Sequence, residues 1–348
     1  MVNATRRLEM KRAAILLLGL GLGLSATLPA RASASEVVVY SARKEDLLRP
    51  VLDAFQKDTG IKVTLLTGKA GDLARRIEVE KSDPRGDVFL GTTAGIAELL
   101  RRKGLLSPYF SPAAQEVPEE FKAPDGSWVG VTGRVRVLIY NKNRVSDAEL
   151  PRSFFDLTDP KWKGKVAVAS MGERTTVSWL AASMALRGEE ATRQYVRGLR
   201  DNGLKVLNNN TEVRKAVARG EYAIGITNHY YYLLQLHDDP ASPVGILYPD
   251  QGADGIGAPM FSITASILNG AKHPEAARAL IDYLLGPRGN RLLVQGEFEI
   301  PLIPGIPVPG EDKGVKGLGQ FKRAGATQLQ LADLEPKVEK LFGPSLIP

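Results

Sequence analysis

Apolar residues along the chain alternate between short unbroken runs and stretches with helical spacing. Residues 36–41 (Glu-Val-Val-Val-Tyr-Ser) form a β-rich run, after which Leu47, Leu48, Val51, Leu52 and Phe55 recur every three or four positions until Gly60. Residues 61–66 predict a second strand, and Leu73, Ile77 and Val79 a second helix. Residues 87–90 predict a third strand, and Ile96, Leu99 and Leu100 a third helix that ends at Gly104. Three strand–helix units in succession predict an open, mainly parallel sheet with helices on both faces. Ligands of such sheets sit beyond the carboxyl ends of the strands. Those ends are residues 41–45, 67–71 and 91–95.

A second group of elements begins near Ser127. Residues 128–141 are a long β-rich stretch, and 165–170 lead through Gly172 into a helix from about Thr176. Helices are predicted at 189–197 and 212–218, and strands at 204–207 and 223–227. Residues 262–268 are again β-like, and 274–285 form an amphipathic helix. No repeat or low-complexity linker separates the two groups, as expected of a chain that crosses between two lobes more than once.

The 348 residues suffice for two packed lobes, and no cysteine is present, which removes disulfides, thiolate metal sites and cysteine nucleophiles together. His229, His237 and His273 have no metal-motif spacing. The formal charge of +7 points toward nucleic acid until its location is considered. Residues 1–34 have the pattern of a secretory signal: basic Lys11-Arg12, an apolar run over 13–28, and Ala32-Ser33-Ala34 as a small-residue cleavage site. That segment carries Arg6, Arg7, Lys11, Arg12 and Arg31 against Glu9, a net +4, so only +3 of the +7 remains beyond Ala34. A charge so small, with both signs interspersed, is no nucleic-acid footprint. The reading is an exported, periplasmic protein that is a monomer and has no nucleic-acid partner.

Catalytic signatures are missing. There is no G-x-S-x-G elbow, no phosphate-binding loop and no dinucleotide fingerprint, and the Gly19, Gly21, Gly23 string lies inside the signal. The chain is therefore read as a non-enzyme.

Three features carry chemistry. Tyr230-Tyr231-Tyr232 follows the strand at 223–227, with Asn228 placed to cap a helix. Neighbours on a helix are about 100° apart, so two of the tyrosines can converge on a cleft while the third turns away. The positive helix N-terminus favours their phenolate form. In the strand around 133–140, residues two apart share a face, which places Arg134, Arg136 and Tyr140 together. Such a face is either the solvated side of an edge strand or a wall for an anion or an anion-bound metal. The turn at Met171-Gly172-Glu173 leads into a helix with Thr175 and Thr176, a ready anion site that many α/β proteins leave unused.

In order along the chain, these residues resemble the periplasmic ferric-ion-binding proteins, soluble receptors of bacterial ABC iron importers. The resemblance is carried by Val39-Tyr40-Ser41-Ala42-Arg43, Thr59-Gly60-Ile61-Lys62-Val63, Gly86-Asp87-Val88-Phe89, Gly133-Arg134-Val135-Arg136-Val137, Asn228-His229-Tyr230-Tyr231 and Glu299-Ile300-Pro301-Leu302. It implies the α/β, two-lobe, type II periplasmic-binding-protein fold, each lobe an open mixed sheet with helices on both faces and ligand in the interlobe cleft. The first lobe is expected at 35–133 and 262–305, the second at 134–261 and 306–348. The cargo it implies is Fe3+ with carbonate or another synergistic anion, and the partner an inner-membrane importer made of a permease and an ATPase. The implied metal ligands are Tyr140, Tyr230 and Tyr231. Arg43, Glu45, Arg134, Arg136, Gly172, Asn210 and Asn228 are the weaker anion-binding or cleft-lining candidates. Lys44-Glu45 and Thr92-Thr93 stand where relatives carry histidine, tyrosine or glutamate ligands, so a histidine-plus-glutamate site is excluded. Ferric ion is a hard cation that prefers oxygen donors, which agrees with phenolate ligation. Two other readings remain open: a binding protein of the same fold for a phosphate-bearing or organic anion, and a secreted hydrolase.

Overall fold

The computed structural model describes residues 36–343 and Leu346; the predicted signal and its cleavage site lie outside the described residues. The first half opens with β1 (Glu36–Ser41), α1 (Glu45–Thr59), β2 (Lys62–Thr67), α2 (Ala70–Val79), β3 (Val88–Gly91) and α3 (Ala94–Arg102), the three predicted strand–helix units. Gly60 closes α1 with φ 75°, a left-handed conformation that glycine adopts without strain. The short β4 (Leu106–Ser107) then leads to β5 (Val129–Asn141). Next come β6 (Val166–Ala169), α4 (Arg174–Arg187), α5 (Glu189–Asp201), β7 (Lys205–Leu207), α6 (Asn210–Ala218), β8 (Ile224–Asn228), α7 (His229–Asp238) and β9 (Val244–Leu247). The chain continues through β10 (Met260–Leu268), α8 (Pro274–Leu285), α9 (Pro287–Glu297), β11 (Ile300–Pro301) and α10 (Gln328–Phe342).

The main strand order is β2-β1-β3-β10-β5-β8-β6-β7. β1 pairs in parallel with β2 and β3, and β6 in parallel with β7 and β8. β5 joins the two groups. Its residues from Val129 to Val135 pair with β10 and β11, and those from Arg136 to Asn141 with β8 and β9. All thirteen of its residues are buried, so β5 is a central strand and no solvated edge.

Two large apolar clusters reflect this division. One gathers Val37, Leu52, Phe55, Val135 and Leu280, and the other Leu138, Trp179, Leu180 and Ile226. Each such side chain contributes roughly 1.5–3 kcal/mol through burial. α10 packs on both α3 and α4, with ion pairs from Asp333 to Arg102 and from Glu335 and Glu339 to Arg174. No helix among the described residues is long and apolar enough to cross a membrane.

Candidate functional site

A cavity of about 720 Å³ opens where the two strand groups meet. Its lining comes from the carboxyl ends of strands in both halves. Ala42 to Lys44 follow β1, Thr67 to Gly71 end and follow β2, and Thr92 follows β3. Gly172 to Thr175 follow β6, Tyr230 follows β8, and Arg134 enters from β5. This is the location expected for ligands of open α/β sheets.

Tyr230 and Tyr231 lie in the first turn of α7 with ring centroids 4.2 Å apart, and both are partly exposed. Tyr232 turns away as the helical rotation predicts; it is buried and donates its hydroxyl to the Lys313 carbonyl at 3.0 Å. The preceding His229 is fully buried, and both its ring nitrogens are used by backbone. Nδ1 accepts from Val135 N–H at 3.3 Å and Nε2 donates to Phe298 O at 2.9 Å. Burial lowers its pKa to about 4, so the ring is neutral and positions α7.

Burial pushes the pKa of both tyrosines up, and for Tyr230 the nearby Arg134 opposes that shift only in part. The helix terminus therefore does not make them phenolates by itself. A cation that binds there has to displace their protons. Asn228 occupies the N-cap position, but its side chain does not cap. Its Nδ2 donates to Thr175 Oγ1 at 3.2 Å and its Oδ1 accepts from Arg136 at 3.2 Å.

Arg136 is the floor of this group. It is fully buried and donates to Thr175, Thr176, Asn210 and Asn228 at 3.2 to 3.4 Å, all neutral oxygens. Its Nε and the Asn210 Nδ2 have no partner. No carboxylate hydrogen-bonds to it, and burial, which the nearby Glu173 opposes only in part, lowers its pKa to about 10. This is a buried guanidinium whose hydrogen-bond partners are all neutral.

Arg43 and Arg134 differ, because two glutamates already neutralise them. Arg43 donates Nε to Glu297 at 2.7 Å and Nη2 to Glu299 at 3.1 Å. Arg134 donates Nε to Glu299 at 2.6 Å and stacks its guanidinium 4.9 Å from the Tyr230 ring centre. Phe298, at φ 55°, takes the left-handed turn that aims both glutamates at the same pair of arginines. Burial opposes the charge on Glu299, but Arg43 and Arg134 overcome it and lower its pKa to about 2. Sequence reasoning did not connect these glutamates with Arg43, which precedes Glu297 by 254 positions.

Two predicted residues are not brought into the cleft. Tyr140 shares β5 with Arg136, but four residues of strand at about 3.3 Å each carry it away from the tyrosine pair. It lies opposite Ile224 and Gly245, where a Cβ would overlap its ring, and donates its hydroxyl to Asp147 at 2.9 Å. Burial and that carboxylate push its pKa up to about 12. Glu45 is exposed and pairs with Arg49, one helical turn on. Gly172 lines the cleft, while Asn210 and Asn228 lie beneath it on Arg136. Lys44, Lys69 and Arg174 also line it; they fall within or beside the predicted strand-end segments but carried no motif. Among the described residues, no group of three or more histidines or carboxylates is placed to hold a metal ion.

A two-part α/β chain with its ligand cavity between strand ends is a solute-binding protein by architecture. The chain belongs to the bacterial extracellular solute-binding proteins, whose sequence family matches residues 83–329. It is 32% identical over 317 residues to iron uptake protein A2 of Synechocystis sp., covering 85% of this chain and 90% of that protein. It is 31% identical over 263 residues to the Fe(3+)-binding periplasmic protein of Serratia marcescens, covering 74% of this chain and 75% of the relative. Among solved structures, a Trichodesmium protein (IdiA, FutA) in complex with iron and citrate ligands aligns with TM-score 0.79 and 29% identity, over 88% of this chain and 98% of that one. The fold is that of the type II periplasmic binding proteins.

Proposed function

We propose that this protein is the periplasmic receptor of an ABC-type iron importer, and that it takes ferric ion through the phenolates of Tyr230 and Tyr231. The observation that carries this reading is the tyrosine pair itself: two adjacent, partly exposed phenols, 4.2 Å between ring centres, of which Tyr230 lines the strand-end cleft. Ferric ion prefers hard oxygen donors, and two phenolates cancel two of its three charges. A companion anion completes the shell, and the buried Arg136, which no carboxylate hydrogen-bonds, with the α4 N-terminus is the natural place to hold its charge. The names of the relatives from Synechocystis and Serratia agree with this cargo. Membership of the extracellular solute-binding proteins supports delivery to an importer made of a permease and an ATPase in the inner membrane. The basic lining of the cleft favours a second reading, capture of an organic or phosphate-bearing anion without metal.

Competitive titration with ferric iron separates the two. Tyr230→Phe and Tyr231→Phe are expected to weaken iron binding by about a hundredfold or more, the scale of losing a metal ligand or its close support. Tyr232→Phe is expected to leave binding within about twofold, because its hydroxyl bonds only to the Lys313 carbonyl. Equal losses at all three positions, or anion binding indifferent to iron and to both tyrosines, would overturn the proposal.

A further inference from the structure

Phe298 stands where glycine is the unstrained choice. It ends α9 with φ 55° and ψ 34°, a left-handed cap whose N–H donates to the Val294 carbonyl. Glycine fills such a cap without steric cost, whereas a bulky side chain there is an outlier. Strain of this kind persists only where surrounding contacts over-determine it, and it gathers at functional sites.

The contacts that hold Phe298 run in two directions. Its neighbours Glu297 and Glu299 turn toward Arg43 and Arg134 in the cleft wall. Phe298 itself turns toward α7. Its carbonyl accepts from His229 Nε2 at 2.9 Å, its ring lies 6.0 Å from the His237 ring, and it packs against the cluster of Tyr232 and Leu233.

His229 occupies a gap in the sheet. Along one edge β5 pairs with β11 through Thr132 and Gly133, and with β8 from Arg136 onward. Between them the Val135 N–H has no strand to meet, and the buried ring of His229 accepts it at 3.3 Å. A buried amide left without that acceptor would be costly. One imidazole thus joins β5, the α9–β11 turn and the start of α7.

These contacts close a loop. Phe298 holds His229, which directly precedes Tyr230; Tyr230 carries the Arg134 guanidinium 4.9 Å from its ring centre; Arg134 bonds to Glu299, beside Phe298. Phe298 does not line the cavity, yet it is the link between the glutamate turn and the helix of the tyrosine pair.

We infer that Phe298 is a positioning residue for cargo capture, locking the Glu297–Glu299 turn to α7 through His229. The lock keeps Arg134 and the Tyr230–Tyr231 pair in fixed relative positions when the cleft takes its cargo. The inference rests on the ferric reading above and adds a requirement outside the cleft lining. Glycine at 298 would keep the turn and lose the grip.

The test is competitive ferric titration of the full-length mature protein, with thermal melts of every variant. Phe298→Gly relieves backbone strain and removes ring contacts, two opposing effects on stability. Its midpoint should stay within about 4 °C of wild type. Its iron affinity should fall about tenfold or more, the scale of losing a ligand's close support. His229→Gln keeps a donor near Nε2 for the Phe298 carbonyl, and His229→Asn an acceptor near Nδ1 for Val135 N–H. Each abandons one buried partner, but only His229→Asn releases Phe298, so it should bind iron about fivefold or more weaker than His229→Gln. Adding Phe298→Gly to His229→Asn should cost no more than about twofold further, because the tie is already broken. Should the histidine variants fail to fold, Phe298→Gly carries the test alone. Wild-type affinity in Phe298→Gly, or an affinity loss matched by a large fall in midpoint, overturns the positioning role. So do equal affinities in the two histidine variants, or losses that multiply in the double variant. All of these leave the ferric reading standing. A wild type that retains no iron overturns that reading and the inference with it.

Discussion

Removing the charge of Glu299 is the most informative perturbation of the scaffold beneath the site. Glu299 is fully buried and receives Arg43 Nη2 at 3.1 Å, Arg134 Nε at 2.6 Å and the Thr132 hydroxyl. With Glu297 it balances two guanidiniums, so Glu299→Gln keeps the shape and leaves one buried positive charge uncompensated. Breaking such a pair from one side costs about 3–5 kcal/mol. With roughly 2 cal/mol/K per residue of unfolding entropy, a chain of this size should lose about 5–8 °C in thermal midpoint. The additional change Arg134→Gln restores neutrality, so the double variant should be more stable than the sum of the singles by about 1.5 kcal/mol or more. The pH dependence has a definite sign. The folded pKa of about 2 lies below the ordinary 4.5, so the stabilisation is present above pH 4.5 and is lost as pH falls toward 2. The variant's stability should fall less steeply than the wild type's over that interval. Thermal melts give the midpoint, and chemical denaturation at several pH values gives the stability loss, the coupling and the pH dependence. A loss under about 1 kcal/mol, or strict additivity in the double variant, would refute the reasoning.

Tyr140→Phe should leave iron affinity within about twofold and cost about 1–2 kcal/mol of stability through the lost bond to Asp147; ferric titration and denaturant melts check this. Because burial keeps Tyr230 and Tyr231 protonated in the empty site, loading with iron should release about two protons from them. Calorimetry in buffers of different ionisation enthalpy counts those protons, and acidification should correspondingly expel the metal.

Much of the scaffold is legible from local spacing. The run Val37 to Tyr40, the helical recurrence ending at Gly60 and the strand–helix order after it determine which residues reach the cleft mouth, because strand ends define that mouth. The tyrosine triplet was readable for the same reason: a helix start separates Tyr232 from Tyr230 and Tyr231 by rotation alone. Tyr140 shows the limit of such reasoning. Alternation along a strand tells which face a side chain shares with Arg136, but the length of β5 decides whether it reaches the same place. Glu297 and Glu299 mark another limit, since only the tertiary fold and the left-handed turn at Phe298 bring them to Arg43 and Arg134. Lys44 excluded a histidine ligand at its position, yet only the geometry places it, with Lys69, at a helix start in the lining of the cleft.

Resonance Raman spectroscopy of the iron-loaded protein at neutral pH tests the central claim most directly. Phenolate ligation predicts a coloured complex whose charge-transfer excitation enhances tyrosinate ring modes, diminished in Tyr230→Phe and in Tyr231→Phe and absent when both are replaced. A colourless iron complex, or tyrosinate modes that survive the double replacement, would contradict it.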